Sequence, residues 1–153
     1  MGWPKEKGRD GERTPMQWSA TPGAGFTTAP KSWLPIPPTS DSYNVDKEKA
    51  DPNSIFNTYR TLLALRKSES ALRDGSYESI GEDANVFAFV RRSGSAVVVA
   101  LNMSGQTQSV DLSGNGVAGR TVKPLYRSSG SMDAVPLKAV TLEPFGVLVG
   151  KMQ

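Results

Sequence analysis

The chain has 153 residues, 37% hydrophobic and 22% charged, a composition typical of one globular domain or of one domain with an ordered extension. Its net charge is +3 and its basic side chains are scattered, the longest cluster being Arg91-Arg92, so we expect no nucleic-acid partner. Cysteine and histidine are both absent, which excludes disulfides, zinc–thiolate centres, histidine-ligated metals and a Ser-His-Asp triad, and we expect no cofactor.

Targeting signals are also missing from the sequence. No apolar run approaches the ~20 residues that span a bilayer, and residues 1–7 lack the apolar core of a signal peptide. We therefore expect a cytoplasmic protein with no membrane partner.

The first 50 residues show little periodicity and contain seven prolines. An irregular segment of this length is unusual inside a compact domain. We expect it to be ordered by packing on something else, through its large apolar side chains, which are Trp3, Trp18, Phe26 and Trp33.

A helix is predicted over residues 52–68. Asp51 is the expected N-cap, and Pro52 suits the first helical position because its missing N–H costs nothing there. An apolar stripe follows at helical spacing, formed by Ile55, Tyr59, Leu62 and Leu63.

From Leu72 onward the pattern changes to short strands separated by turns. Val86, Ala88 and Val90 alternate with Phe87 and Phe89, and the continuous apolar run 96–101 indicates a strand covered on both faces. The predicted strands are 76–80, 85–92, 96–101, 108–112, 121–126, 138–142 and 146–150, with a hairpin turn at Ser93-Gly94-Ser95.

The expected fold is therefore mainly β: an antiparallel β-sandwich preceded by one α-helix and a long irregular segment. We divide the chain at residues 1–70 and 71–153.

Chemistry-bearing side chains are concentrated near the start of the chain. Arg9, Asp10, Glu12 and Arg13 are followed by Trp18 within a Pro- and Gly-rich segment. An arginine fork can hold two sugar hydroxyls, but it can equally pair with a carboxylate and pin the loop. The residues alone favour the second reading.

The run Arg9-Asp10-x-x-Arg13-Thr14-Pro15-Met16-Gln17-Trp18 resembles the signature of α-glucosidases in the α-amylase superfamily (glycoside hydrolase family 13), in the branch of oligo-1,6-glucosidases and trehalose synthases. The resemblance is collinear and covers nearly the whole chain. It continues through Ala24-Gly25-Phe26-Thr27-Thr28, Trp33, Tyr43-Asn44-Val45, Asp51-Pro52-Asn53-Ser54-Ile55-Phe56, Leu62-Leu63-Ala64-Leu65-Arg66-Lys67, Gly75-Ser76-Tyr77 and Leu142-Glu143-Pro144-Phe145.

The resemblance implies a (β/α)8 barrel followed by an antiparallel β-domain. It also implies an Asp nucleophile, a Glu acid/base and a second Asp, all upstream of the signature and so absent here. A barrel takes roughly 250 residues, more than this chain has. The chain is therefore expected to be a C-terminal fragment, and residues 1–70 to be the end of the barrel.

By the same resemblance, Arg9 binds the terminal glucose in the intact enzyme, while Arg13 and Gln17 support the loop. Asp10 and Glu12 are not expected to be catalytic. The expected function is a non-catalytic, stabilising portion of an enzyme acting on α-glucan oligosaccharides or disaccharides. Without its barrel, we expect the chain either to be disordered before about residue 50 or to form a dimer that buries Tyr59, Leu62 and Leu63, the helix stripe that the barrel normally covers.

A stand-alone carbohydrate-binding or accessory β-module is the alternative function. It requires an exposed aromatic row, and Phe87 and Phe89 are instead expected in the core. Trp18 and Trp33 have two open roles, a sugar-stacking platform or docking anchors, and the second is favoured. Asn102-Met103-Ser104 matches the glycosylation sequon, which means little without a secretion signal.

Overall fold

The computed structural model describes residues 12–81, 83–114 and 116–153. They form two compact units, one up to Thr61 and one from Leu62 onward. Strand dominates over helix, and the expected mainly-β class with an antiparallel sheet is confirmed. The division at residue 70 stays a prediction.

In the first unit, the described residues 13–44 are irregular apart from a 3₁₀ turn at Pro22–Gly25. Helix α1 (Val45–Ala50) then begins, although one helix alone was expected. Asn44 is its N-cap, because the Asn44 side-chain oxygen accepts the Lys47 N–H at 3.0 Å and the side-chain nitrogen donates to the Ser40 carbonyl at 2.8 Å. This buried amide holds the loop against the helix start.

Helix α2 spans Ile55–Ser68, so the predicted start at residue 52 is wrong. The Asp51 carboxylate bonds to the Asn53 N–H at 2.9 Å, a local turn that competes with helix formation. Ser54 caps the helix instead, because its hydroxyl accepts the Asn57 N–H at 3.1 Å. No residue of α2 is fully buried; Ile55, Tyr59 and Leu63 of its apolar stripe are exposed, while Leu62 is half-buried.

The second unit contains a short helix, α3 (Ser70–Asp74), and two antiparallel sheets. The larger sheet has six strands in the order β1-β2-β3-β8-β5-β6, and β4 pairs with β7 in the smaller one. The strands are β1 (Ser76–Ser79), β2 (Val86–Ser93), β3 (Ser95–Asn102), β4 (Gln108–Val110), β5 (Thr121–Arg127), β6 (Val135–Pro136), β7 (Val140–Leu142) and β8 (Val147–Met152).

Two differences from the predicted strands concern residues 135–142. The two-residue strand β6 was missed, because two residues carry no periodicity. Lys138 was placed in a strand but lies in a 3₁₀ turn, Leu137–Ala139.

The main core lies on one face of the larger sheet. It joins Val86, Ala88 and Val90 of β2 to apolar side chains of β4 and β7. The other face carries a smaller cluster around Val97 and Val99, on which α3 packs through Ala71. Val97, Val98, Val99 and Ala100 are all buried, as the continuous apolar run predicted.

Asn102 links the β3–β4 loop to the β7–β8 turn. Its side chain is buried, with the amide nitrogen donating to the carbonyls of Gln106, Leu142 and Glu143 at 2.7, 3.3 and 2.8 Å. Its oxygen accepts the N–H and the hydroxyl of Ser104 at 2.9 and 2.8 Å. The sequon nitrogen is therefore fully engaged in the fold and inaccessible to a glycosyl donor.

The loop after β4 contains a local carboxylate turn. Asp111 accepts hydrogen bonds from the Ser113 hydroxyl and backbone N–H. These bonds, with a smaller contribution from Lys138, lower the pKa of Asp111 and outweigh desolvation.

Across the described residues, we find no helix whose length and apolar content would let it cross a membrane.

Candidate functional site

The signature segment enters the described structure at Glu12. Arg9, the predicted glucose-binding residue, lies outside the described residues, as do Asp10 and Trp3. Glu12 and Arg13 are exposed, whereas Pro15 is buried. The sugar-binding role of Arg9 therefore stays a prediction.

The end of the signature is held by a left-handed turn. Gly23, Ala24 and Gly25 all have positive φ, at 73°, 53° and 65°. This conformation points the Ala24 carbonyl back at the signature, where it accepts the N–H groups of Trp18 at 2.9 Å and Ser19 at 3.2 Å. These two bonds hold the backbone at Trp18 and Ser19 in place.

The signature also caps α1. The Gln17 and Trp18 carbonyls accept the N–H groups of Val45 at 3.0 Å and Asp46 at 3.1 Å, which are helix donors without intrahelical partners. The Gln17 side chain accepts the Thr39 hydroxyl at 3.4 Å. These bonds agree with the loop-supporting role expected for Gln17.

Substituting Gly25 by alanine is expected to loosen this loop. A Cβ at Gly25 would lie 2.6 Å from the Ser19 hydroxyl oxygen, whereas at Gly23 the nearest atom would be 3.5 Å away. Both positions have positive φ, which costs alanine roughly 1–2 kcal/mol. Gly23→Ala carries this backbone cost without the close contact, so the difference between the two variants measures the steric effect. We expect faster hydrogen exchange at the Trp18 and Ser19 amides in Gly25→Ala than in Gly23→Ala. Equal exchange in the two variants would show that the close approach is unimportant.

Large aromatic side chains of the first unit face solvent. Trp18 and Phe26 are half exposed and Trp33 is 89% exposed. Such indoles suit either docking on a further protein surface or stacking on a sugar ring. Their exposure agrees with the expectation that this segment packs on something beyond itself.

An open cleft of about 560 Å³ lies in the same unit. It is lined by Pro22, Gly23, Thr27, Thr28, Ala29, Pro30, Lys31, Ser32 and Ile36.

The described residues include no group of three or more carboxylates that could hold a metal ion. Glu48 in this unit is tied into the fold, since its carboxylate accepts the Phe56 N–H at 3.0 Å.

The second unit carries an aromatic cluster of Tyr77, Phe87 and Phe89, of which Phe87 and Phe89 were expected in the core. Phe87 is 47% exposed and Tyr77 is 56% exposed, so the core assignment of Phe87 is wrong. Phe89 is half-buried and lies between them, with ring centroids 5.2 Å from Tyr77 and 5.5 Å from Phe87. The rings are tilted by 35° and 51°, so they do not form a flat platform.

Two family models match successive parts of the chain. The alpha-amylase catalytic domain matches residues 2–75, and the glycosyl hydrolase family 30 beta sandwich domain matches residues 73–133. The catalytic-domain match thus covers the signature and all three helices, and the β-sandwich match covers most of the strands.

Curated relatives are enzymes much longer than this chain. The glucan 1,6-alpha-glucosidase of Streptococcus dysgalactiae subsp. equisimilis is 41% identical over 113 residues, which is 72% of this chain and 21% of that protein. The oligo-1,6-glucosidase of Parageobacillus thermoglucosidasius is 34% identical over 149 residues, 96% of this chain and 26% of that protein. The chain therefore spans about a quarter of the length of these relatives.

Solved structures give the same match. The trehalulose synthase MutB from Pseudomonas mesoacidophila MX-45 superposes with a TM-score of 0.81 at 32% identity, over 95% of this chain and 26% of that enzyme. Another MutB structure, of an inactive double mutant, is a complex with isomaltulose.

Proposed function

We propose, from the membership of this chain in the α-amylase family of glycoside hydrolases, that it is the non-catalytic C-terminal portion of an α-glucosidase-type enzyme. The observation that carries this proposal is the succession of matches: catalytic-domain residues end near residue 75 and a β-sandwich follows. In the parent enzyme this portion stabilises the barrel and contributes Arg9 to the glucose pocket.

The uncovered stripe of α2 supports this role. Ile55, Tyr59 and Leu63 are each exposed by well over half of their surface. A stripe of this kind on a helix is normally buried against another element. In the parent enzyme, α2 would close the outer ring of the barrel and bury these side chains.

The names of the relatives support a substrate class for the parent enzyme. They are named as 1,6-glucosidases and a maltase, and MutB was solved with isomaltulose and with sucrose. We propose an α-linked glucose oligosaccharide or disaccharide as the substrate. A retaining hydrolysis needs two carboxylic acids in different environments, and the resemblance places both upstream of Arg9.

The purified chain is expected to be catalytically inert. It should release no nitrophenol from p-nitrophenyl α-glucoside and no glucose from isomaltose, with the Parageobacillus oligo-1,6-glucosidase as the positive control. Turnover that copurifies with the chain and survives removal of host glucosidases would contradict the proposal. The same preparation should show no heat of binding when titrated with maltose or isomaltose.

A stand-alone carbohydrate-binding module is the second candidate, and the exposure of Tyr77 and Phe87 is the observation that favours it. Under this function the titration would show binding at millimolar concentration or tighter. Alanine at Tyr77 or Phe87 would then abolish the signal, while the tilt between the rings argues against a flat stacking surface.

A further inference from the structure

The short helix α1 connects the signature segment to α2. Its six residues are all half-buried or exposed in the described structure, so burial contributes little to its stability. A helix of this length does not persist in water by itself, because helices below about 12 residues are marginal even in favourable sequences. The helix therefore depends on the groups that bond to its two ends.

The N-terminal end of α1 is bonded to the signature. The Gln17 carbonyl accepts the Val45 N–H at 3.0 Å. The Trp18 carbonyl accepts the Asp46 N–H at 3.1 Å. Donors in the first turn of a helix have no partner within the helix, so these bonds serve the helix and the signature at once. The position of the signature backbone therefore depends on α1.

The C-terminal end of α1 is closed by a side chain of α2, Asn57. The Asn57 amide nitrogen donates to the carbonyls of Glu48, Lys49 and Asp51 at 3.0, 3.1 and 2.8 Å. Carbonyls in the last turn of a helix lack intrahelical donors. One half-buried amide group thus satisfies three acceptors where α1 ends.

Glu48 makes the connection between the two helices reciprocal. Its carboxylate accepts the Phe56 N–H at 3.0 Å, a donor in the first turn of α2. Its backbone carbonyl also accepts the hydroxyl of the buried Ser54 at 2.6 Å. The end of α1 and the start of α2 therefore supply each other's missing hydrogen-bond partners, and α1 is held where α2 places it.

We propose that Asn57 is a positioning residue for the substrate-binding signature. Asn57 holds the end of α1, α1 holds the backbone at Gln17 and Trp18, and the chain runs upstream from there to Arg9. The inference rests on the proposed function, in which Arg9 binds the terminal glucose. Asn57 then acts on glucose binding through α1 and not by touching the sugar.

Hydrogen exchange in the chain itself tests the first step. Asn57→Asp keeps the shape of the side chain but replaces the donor with an oxygen, and a carboxylate in the first turn does not weaken α2. We expect the Val45 and Asp46 amides to exchange about tenfold faster or more, since three carbonyls lose their donor. The Val98 amide of β3 should exchange at an unchanged rate, because the opening is local.

Asn53→Asp is the matched control for this substitution. It makes the same chemical change at an exposed residue just before α2. Asn57→Ala removes the amide without adding a charge, and it carries the comparison if Asn57→Asp does not fold. Both Asn57 variants should speed exchange in α1, and Asn53→Asp should not. Equal exchange rates in the Asn57 variants and the control would overturn the inference.

A chimera tests the step from α1 to the sugar. This chain replaces the matched part of the Parageobacillus oligo-1,6-glucosidase, and isomaltose hydrolysis gives KM and kcat. Misplacing a group that binds substrate and transition state alike raises KM and leaves kcat unchanged. We expect KM to rise about fivefold or more in the Asn57→Asp chimera, with kcat within about twofold of the unsubstituted chimera. Asn53→Asp should change neither constant.

A purely structural role for Asn57 predicts the opposite split. Partial unfolding of the chimera would lower the amount of active enzyme, so the apparent kcat would fall at an unchanged KM. That result would overturn the inference and leave the proposed function standing. An unsubstituted chimera without α-glucosidase activity would contradict the proposed function, and the assigned role of Asn57 in glucose binding with it.

Discussion

Replacing Asn102 with aspartate is expected to destabilise the second unit by about 3 kcal/mol or more at pH 7. The substitution keeps the shape of the side chain but turns an amide donor into a carboxylate oxygen. Three carbonyl oxygens, of Gln106, Leu142 and Glu143, then face a negative charge in a buried site. One carboxylate oxygen keeps the two bonds from Ser104, but the other has no donor, and burying such an oxygen against carbonyls costs several kcal/mol.

The pH dependence of this variant has a definite sign. The surrounding carbonyls disfavour the ionised form, so the pKa of the new carboxyl group is raised in the folded state above its unfolded value of about 3.9. The folded state then binds the proton more tightly than the unfolded state. The penalty is therefore full above the folded pKa and shrinks as the pH falls toward 4.

Urea unfolding at pH 7 and pH 4.5 measures both effects. Asn85→Asp is the matched control, because it makes the same chemical change at an exposed residue of the same unit. We expect the gap in unfolding free energy between the two variants to narrow at pH 4.5. A gap that is small at pH 7, or independent of pH, would show that Asn102 does not hold the two turns together.

Replacing Gly75 with alanine is expected to lower the free energy of unfolding by about 3 kcal/mol or more, because the added Cβ would overlap backbone atoms. Gly75 connects α3 to β1, and a Cβ there would lie 2.3 Å from the Ala71 carbonyl oxygen and 3.0 Å from the Arg92 backbone N and O. Backbone atoms on two sides cannot give way without moving α3 or β2. The same turn also positions the Gly75 carbonyl, which accepts two bonds from the Arg91 guanidinium at 3.1 and 2.8 Å.

Gly114→Ala is the control for this substitution. In the described structure, a Cβ at Gly114 meets no atom within 4 Å beyond its chain neighbours, and its φ is not positive. We expect it to change the unfolding free energy by less than about 0.5 kcal/mol. Similar melting temperatures for the Gly75→Ala and Gly114→Ala proteins would contradict the steric account.

Strand positions were predictable wherever side chains alternate over several residues. In β2, Val86, Ala88 and Val90 face the main core and Phe87 faces the other side, as alternation requires. The start of α2 was not predictable in this way, since Asp51 and Ser54 are both good caps. The choice depended on the turn that Asp51 makes with Asn53.

Some features of the candidate site were expected before the structure was known, and others were not. Its location in the signature segment and the supporting role of Gln17 were expectations from the family resemblance, since the residue types alone favoured a structural role for the arginines. The left-handed turn that holds Trp18 was not foreseen, although Ala24 between two glycines was a usable signal. The exposure of Phe87 could not be read from its own strand, because it depends on which elements cover that face of the sheet.

The amino-acid sequence by itself determined the strand alternation and the mainly-β class, because these depend on residue types at fixed local spacing, and it carried the motifs that resemble those of α-glucosidases. The tertiary structure alone decided that Asn102 is a buried junction, that Gly75 admits no side chain, and that Ile55, Tyr59 and Leu63 of α2 lie exposed. Those properties depend on atoms far apart in the chain, such as Asn102 and Glu143, which only folding brings within hydrogen-bonding distance.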